Sequence, residues 1–196
     1  MKKLISIFML TLSLMVLSCA ARHQSAAAPE RGEAGAGIAA AADVTFNFTR
    51  LSGRASNQFA IWIENAQGQY VKTLYAARWT ANGGWRTRPT SIPMWIARSG
   101  AANMSRARID SVSGATPAAG ALTYIWNGTD SLGEAVPDGD YTLILEGTLR
   151  WENQVYYRAP IALGGGAADA EVSVEYIGDA AEDRAMIGNV RVRTLR

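Results

Sequence analysis

Apolar and polar residues alternate with a period of two along most of the chain after residue 43, a pattern typical of β-strands with one buried face. In the first run, Val44, Phe46 and Phe48 share one face and polar residues occupy the other. Similar runs follow at 59–63, 70–75, 122–126, 141–146, 155–163, 171–177 and 190–195. Because Gly, Asp, Asn and Pro clusters separate several of these runs, the pattern predicts an all-β fold, an antiparallel β-sandwich.

One short helix is expected within this β pattern, at Pro93–Ser99. Pro93 suits the first turn of a helix, and Thr90 or Ser91 could cap it. Gly100 could end it, since glycine readily adopts the left-handed conformation that follows a helix.

The N-terminus has the three parts of a secretory signal peptide, predicted at residues 1–18. Lys2 and Lys3 precede an apolar run at 4–17, which is too short to span a bilayer comfortably. Residues 16–20 read VLSCA and resemble a bacterial lipobox, in which Cys19 would become the first mature residue and carry a lipid. Ordinary cleavage after Ala20 is the alternative. By resemblance to Gram-negative sorting signals, the alanine at position 20 favours the outer membrane.

The segment that follows is rich in Ala and Gly and has no aromatic residue up to position 42. Such a segment buries too little apolar surface to offset its ordering entropy, so residues 19–42 are expected to be a lipidated, flexible tether. Residues 43–196 have the size of one domain.

Cysteine and histidine are almost absent, which limits the chemistry available to the domain. The only cysteine is Cys19 and the only histidine is His23. Residues 43–196 therefore have no disulfide, no cysteine or histidine metal ligand, and no Ser-His-Asp or Cys-His catalytic group.

Charge is balanced overall but unevenly distributed. Without Lys2 and Lys3 the basic and acidic residues number 17 each, which argues against a general nucleic-acid binder. No acid occurs from 65 to 109, whereas 129–183 holds twelve acids and only two arginines. The acid-free stretch contains Lys72, Arg78, Arg86, Arg88, Arg98, Arg106 and Arg108. Either the two regions pair internally, or the basic one forms an anion-attracting surface.

Three tryptophans, Trp79, Trp85 and Trp95, lie in this basic stretch. Each is either a core residue or a stacking platform for a ring or a partner.

Residues 126–143, WNGTDSLGEAVPDGDYTL, contain glycines and aspartates suited to two successive turns between strands. Their spacing does not match a calcium loop. The segment resembles a hairpin of flagellar-hook-cap-type Ig-like modules. Together with residues 59–74 it resembles the predicted periplasmic family DUF2271. The resemblance implies an Ig-like sandwich outside the cytoplasm, and partners that include flavin transferases and PepSY-type membrane proteins.

Residues 110–116, DSVSGAT, resemble the D-x-x-S/T-G-A-T signature of proteins that receive covalent FMN from a flavin transferase. The matching residues are Asp110, Ser113, Gly114, Ala115 and Thr116. The resemblance implies attachment at Thr116, on an exposed, flexible loop. Arg106 and Arg108 lie just upstream and could pair with the FMN phosphate. The following PAAGA sequence lacks the apolar segment that packs against the flavin in typical FMN domains.

Three functions are therefore open. The first is a non-catalytic Ig-like interaction module of the cell envelope, which binds through a sheet edge or the basic surface. The second is an extracytoplasmic electron carrier with FMN on Thr116. The third is a hydrolase that uses two carboxylates, although no spacing selects a pair. Its candidates are Asp138, Asp140, Glu146 and Glu152.

Overall fold

The computed structural model describes residues 39–54, 56–179 and 181–196. The proposed signal peptide 1–18, Cys19, His23 and residues up to 38 lie outside the described residues, so the signal, the lipid and the tether stay predictions. The first strand begins at Ala42, one residue before the expected start of the domain.

Two β-sheets form the framework. Their strands are β1 (Ala42–Phe48), β2 (Ser56–Asn65), β3 (Tyr70–Ala77), β4 (Ser113–Gly114), β5 (Gly120–Trp126), β6 (Gly139–Arg150), β7 (Asn153–Leu163), β8 (Ala168–Ala170), β9 (Ser173–Ile177) and β10 (Ile187–Thr194). One sheet has the order β5-β1-β10-β8, and the other β4-β3-β2-β6-β7-β9. All pairings between these strands are antiparallel except that of β3 with β4.

The predicted β-sandwich is confirmed. Every run with period-two alternation corresponds to a strand, although the run at 171–177 begins its strand only at Ser173. The short strands β4 and β8 were not predicted, because two or three residues are too few to show a period.

The main core lies between the two sheets. Alternate residues of the central strands point into it, among them Phe59, Ile61 and Ile63 of β2. Phe46 and Phe48 of β1 meet Phe59 at ring-centroid distances of 5.6 and 5.4 Å. This apolar interface is what joins the sheets.

A helical insertion follows β3 and precedes β4. It contains α1 (Arg78–Ala81), α2 (Pro93–Ser99) and α3 (Arg106–Val112), with 3₁₀ turns at Gly84–Arg86 and Ala101–Asn103. The predicted helix Pro93–Ser99 is confirmed at both ends, and Gly100 follows it in the left-handed conformation. The expectation of a single helix was wrong, since α1 and α3 are too short to show a clear helical period.

The insertion covers the outer face of the six-stranded sheet and forms a second core there. Trp62 of β2 and Ile144 of β6, whose neighbours along each strand face the sandwich, pack against buried residues of the insertion. Trp95 of α2 is the largest insertion residue buried in this cluster, followed by Ile92 and by Ile109 of α3. The central strands are therefore apolar on both faces.

The start of α2 differs from the expected cap. Its N-cap is Ile92, in the left-handed conformation (φ 40°), and neither Thr90 nor Ser91 accepts a bond from its free N–H groups. The carboxylate of Glu146, on β6, accepts these bonds from Met94 N at 3.0 Å and Trp95 N at 2.7 Å. A distant strand therefore supplies the cap, which no local pattern could indicate.

Further polar residues of the sheet fix the segment before α2. Thr148 on β6 accepts a hydrogen bond from Ile92 N at 2.9 Å, and Gln154 on β7 donates to Thr90 O at 3.1 Å. The Thr148 hydroxyl also donates to Thr90 O at 3.2 Å. These bonds hold Ile92 in a backbone conformation that is strained for a β-branched residue.

The turn-rich segment 126–143 has a structural role. Trp126 is fully buried and donates from Nε1 to Thr129 O at 2.9 Å. Asp130 Oδ1 accepts from Leu132 N and Glu134 N, which confirms one predicted side-chain turn. Tyr141 donates its hydroxyl to Pro137 O at 2.7 Å and packs against Trp126 at 5.0 Å.

In the part of the chain that the structure describes, no helix combines the length and the hydrophobicity that a membrane crossing requires.

Glu146 makes stability depend on pH in a defined direction. Burial raises the pKa of Glu146 from 4.5 to about 7, although hydrogen bonds from Met94, Trp95 and Tyr156 oppose the shift. Between these pH values the folded protein keeps a proton that the unfolded chain has released, so stability falls as pH rises through this window. We expect Glu146→Gln to abolish most of this decline in the free energy of unfolding, measured with urea from pH 4.5 to 8.

The matched control is Glu152→Gln, because Glu152 is an exposed acid at the β6–β7 turn. This variant should keep the slope of wild type. An unchanged slope in Glu146→Gln would show that Glu146 does not titrate in this range.

Candidate functional site

The sequence-predicted FMN site lies where the chain passes from one sheet to the other. Ser105 caps α3 by accepting from Arg108 N at 3.3 Å, and Ile109 anchors the helix in the second core. The chain then forms β4 at the edge of the six-stranded sheet and, after residues 115–118, enters β5 at the edge of the other sheet. Residues 115–118 have no regular secondary structure.

The signature residues are divided between α3, β4 and the irregular segment that follows them. Residues 110–112 complete α3, and Ser113 and Gly114 pair with Ala76 and Ala77 of β3. Asp110 lies 3.7 Å from Arg106, one helical turn away, and both side chains are largely exposed. A pair of this kind contributes little to stability.

Tyr75 of β3 supports Gly114 and Ala115. Its hydroxyl donates to Gly114 O at 3.2 Å and Ala115 O at 3.0 Å. A Cβ added at Gly114 would lie 2.8 Å from the Tyr75 ring, so this glycine is required by packing. Burial raises the pKa of Tyr75, which keeps its hydroxyl a donor. The sequence pattern did not reveal this support.

Thr116 is half-buried and Ala115 is exposed, so the chain can be reached by a solvent molecule at this point. Arg106 pairs with Asp110. Arg108 and Lys72 line a pocket that does not include Thr116. Among the described residues, neither arginine donates a hydrogen bond to Thr116. The residues downstream of Pro117 are exposed up to Ala121 and form no apolar wall.

A basic aromatic surface lies on the first part of the insertion. We define the Arg–Trp surface as Trp79, Trp85, Arg86 and Arg88. The Arg86 guanidinium lies 4.6 Å from the Trp85 ring centroid, and that of Arg88 lies 4.5 Å from the Trp79 centroid. Trp79 is 48% exposed. These stacked pairs hold both cations in defined positions.

The acid-free stretch does not pair with the acidic region. Within residues 39–54, 56–179 and 181–196, its ion pairs are Arg98 with Glu64 at 3.6 Å and Arg106 with Asp110. No described carboxylate lies within 4.0 Å of Arg78, Arg86, Arg88 or Arg108. Of the two alternatives for this stretch, the geometry favours an anion-attracting surface over internal pairing.

The three tryptophans divide between core and surface. Trp95 is fully buried and donates from Nε1 to Thr73 Oγ1 at 2.9 Å. Trp85 is half-buried and Trp79 is exposed.

The candidate hydrolase carboxylates are dispersed. Asp138 and Asp140 border a pocket of about 420 Å³ at one end of the sandwich. Glu146 is buried beneath α2, and Glu152 is exposed at the β6–β7 turn. Among the described residues, no three acids, histidines or cysteines group closely enough to hold a metal ion.

The sandwich and its turn-rich hairpin correspond to a known family. The family described as predicted periplasmic protein (DUF2271) matches residues 41–179. This chain belongs to the DUF2271 family. The match covers strands β1 to β9 and the helical insertion of the DUF2271 domain, and it ends before β10. Comparisons with curated proteins and with solved structures found no match.

The packing of Gly114 can be tested by one methyl group. We expect Gly114→Ala to destabilise the DUF2271 domain by about 1–3 kcal/mol, because the added Cβ would overlap the Tyr75 ring unless both move. Urea unfolding measures the change. Gly188→Ala is the control, since a Cβ at that strand glycine meets nothing within 4 Å. Equal stability of Gly114→Ala and wild type would mean that the close contact with Tyr75 does not constrain position 114.

Proposed function

We propose that the chain is a non-catalytic Ig-like interaction module of the cell envelope, held by a lipid on Cys19 to the outer membrane. The observation that carries this proposal is the Arg–Trp surface, whose arginines are positioned by stacking and have no carboxylate within 4.0 Å among the described residues. Membership of a predicted periplasmic family supports the location outside the cytoplasm.

The composition of this surface suits protein recognition. Tryptophan and arginine are the residue types most enriched where binding energy concentrates in interfaces. Because Arg86 is exposed and preorganised, it loses little side-chain entropy when it meets a carboxylate. The partner is therefore an envelope protein with an acidic surface.

The edge strand β5 is another binding surface that the fold offers. It pairs only with β1, and Ile125 on it is 59% exposed. Addition of a partner strand there would use main-chain bonds rather than charge. The two modes therefore respond differently to a charge reversal at Arg86.

Site-specific photo-crosslinking in the native envelope tests this docking. A benzoylphenylalanine residue replacing Trp79 should crosslink one discrete protein in the membrane fraction. Arg86→Glu should reduce this product about tenfold through charge repulsion, the equivalent of about 1.4 kcal/mol. Arg191→Glu, at an exposed arginine of β10, should leave it unchanged. Cys19→Ser should release the protein from the membrane fraction.

Benzoylphenylalanine at Ile125 and Val174 reports on the sheet edges β5 and β9. If crosslinks form from Ile125 and survive Arg86→Glu, while none form from Trp79, the partner binds at the β5 edge and not at the Arg–Trp surface. Uniform crosslinking from all three positions would contradict a specific module.

The second candidate is an electron carrier with FMN on Thr116. It is favoured by the exposure of Ala115 and Ala118 on either side of the half-buried Thr116, where a second enzyme could approach. In the transfer, Thr116 Oγ1 would attack the FMN-side phosphorus of FAD and form a phosphoester. The pyrophosphate bond breaks, AMP leaves with that bond's electron pair, and the hydroxyl proton passes to a base of the flavin transferase. A PepSY-type membrane protein would be a redox partner.

Coexpression with a flavin transferase tests the attachment. Intact-mass measurement should show an increase of one FMN in wild type and none in Thr116→Ala. Thr123→Ala is the matched control, since it removes an exposed threonine of β5 and should remain modified. An unmodified wild-type protein under these conditions would remove the carrier function and leave the interaction module unaffected.

A further inference from the structure

A pocket of about 240 Å³ lies beside the signature segment, between β3, α3 and the turn after β5. It is separate from the Arg–Trp surface. The residues that give it chemical character are Lys72, Arg108, Ser111, Asp130 and Ser131. Two cations and two hydroxyls therefore line a space with room for one small polar group.

Lys72 is fixed but incompletely satisfied. Its Nζ donates to Asn127 Oδ1 at 3.2 Å and to Thr129 Oγ1. Since an ammonium has three donors, one remains for a ligand. Burial lowers the pKa of Lys72, and the nearby charge of Arg108 lowers it further, while Asp130 raises it. A bound anion would offset the charge of Arg108 and favour the charged form of Lys72.

Arg108 contributes the second cation. It lies in the first turn of α3. Its main-chain N–H donates to the Ser105 hydroxyl, and its main-chain oxygen accepts from the Ser111 hydroxyl. Its side chain has no carboxylate within 4.0 Å and no recorded hydrogen-bond acceptor among the described residues. A guanidinium presents its donors in a fork suited to oxyanions.

Among the described residues, Asp130 is the one acid that lines the pocket, and one of its oxygens already accepts hydrogen bonds. Asp130 Oδ1 accepts from Leu132 N at 2.7 Å and Glu134 N at 3.0 Å. Its charge offsets only one of the two cations. The pocket therefore retains a net positive charge.

We infer that the pocket between Lys72 and Arg108 binds one tetrahedral oxyanion, a phosphate or a phosphate monoester. Donors reach it from three elements, with Lys72 on β3, Arg108 on α3 and Ser131 on the turn. A tetrahedral group offers oxygens in several directions and matches such an arrangement better than a planar carboxylate. This inference does not depend on the proposed docking function.

Calorimetric titration of the full chain in detergent with inorganic phosphate, at constant ionic strength, tests the inference. Saturable binding is expected, and Lys72→Met and Arg108→Gln should each weaken it about tenfold. Asp130→Asn should tighten it about threefold, because a neighbouring negative charge is removed. Arg86→Gln, outside the pocket, should bind phosphate as wild type does. Glycerol 3-phosphate binding as tightly as phosphate would identify a monoester site, and weaker binding a site for free phosphate.

Two results would overturn the inference. One is the absence of saturable binding by wild type. The other is an equal loss in Arg86→Gln and Arg108→Gln, which would indicate nonspecific attraction by the charged surface. Thermal unfolding of each variant checks folding. If Lys72→Met unfolds, Arg108→Gln decides the matter, because the Arg108 side chain has no hydrogen bond or ion pair to another described residue.

Discussion

The six-stranded sheet has two apolar faces, and the molecule depends on covering both. The four-stranded sheet covers one, with Phe59 and Ile61 at the interface. The other face carries Trp62 and Ile144, which would be in contact with water without the helical insertion. Full burial of each such side chain stabilises the fold by about 1.5–3 kcal/mol. The insertion between β3 and β4 is therefore a structural layer of the domain.

Polar bonds fix where that layer sits. Apolar contact alone does not specify direction, whereas the carboxylate of Glu146 must meet the N–H groups of Met94 and Trp95. Once α2 is fixed, the chain returns through α3 to the sheet edge, and β4 is placed against β3. The same path brings Arg108 toward Lys72 and leaves Arg86 on the outer surface. The positions of the Lys72–Arg108 pocket and of the Arg–Trp surface therefore both depend on the contact between Glu146 and α2.

Most of the framework follows from the sequence because its signals are local. A period of two records a strand with one buried face, and Pro93 with Gly100 marks both ends of α2. The remaining features depend on residues far apart in the chain. The cap of α2 comes from Glu146, more than fifty residues away, and the role of Gly114 comes from Tyr75. The sequence does contain one local signal of this cap, since Glu146 is a single acid directly after the apolar residues 143–145 of a strand.

The structure explains part of the FMN signature by packing and helix position, without a cofactor-binding role. Gly114 is accounted for by its contact with Tyr75, and Asp110 by its position in α3 beside Arg106. Ala115 accepts a hydrogen bond from Tyr75 through its main-chain oxygen only, and both Ala115 and Thr116 lie in the irregular segment that joins the sheets. A flavin transferase that modifies Thr116 would therefore need access only to residues 115–118. Docking through the Arg–Trp surface requires the insertion to stay on the sheet, so the two activities could coexist in one domain.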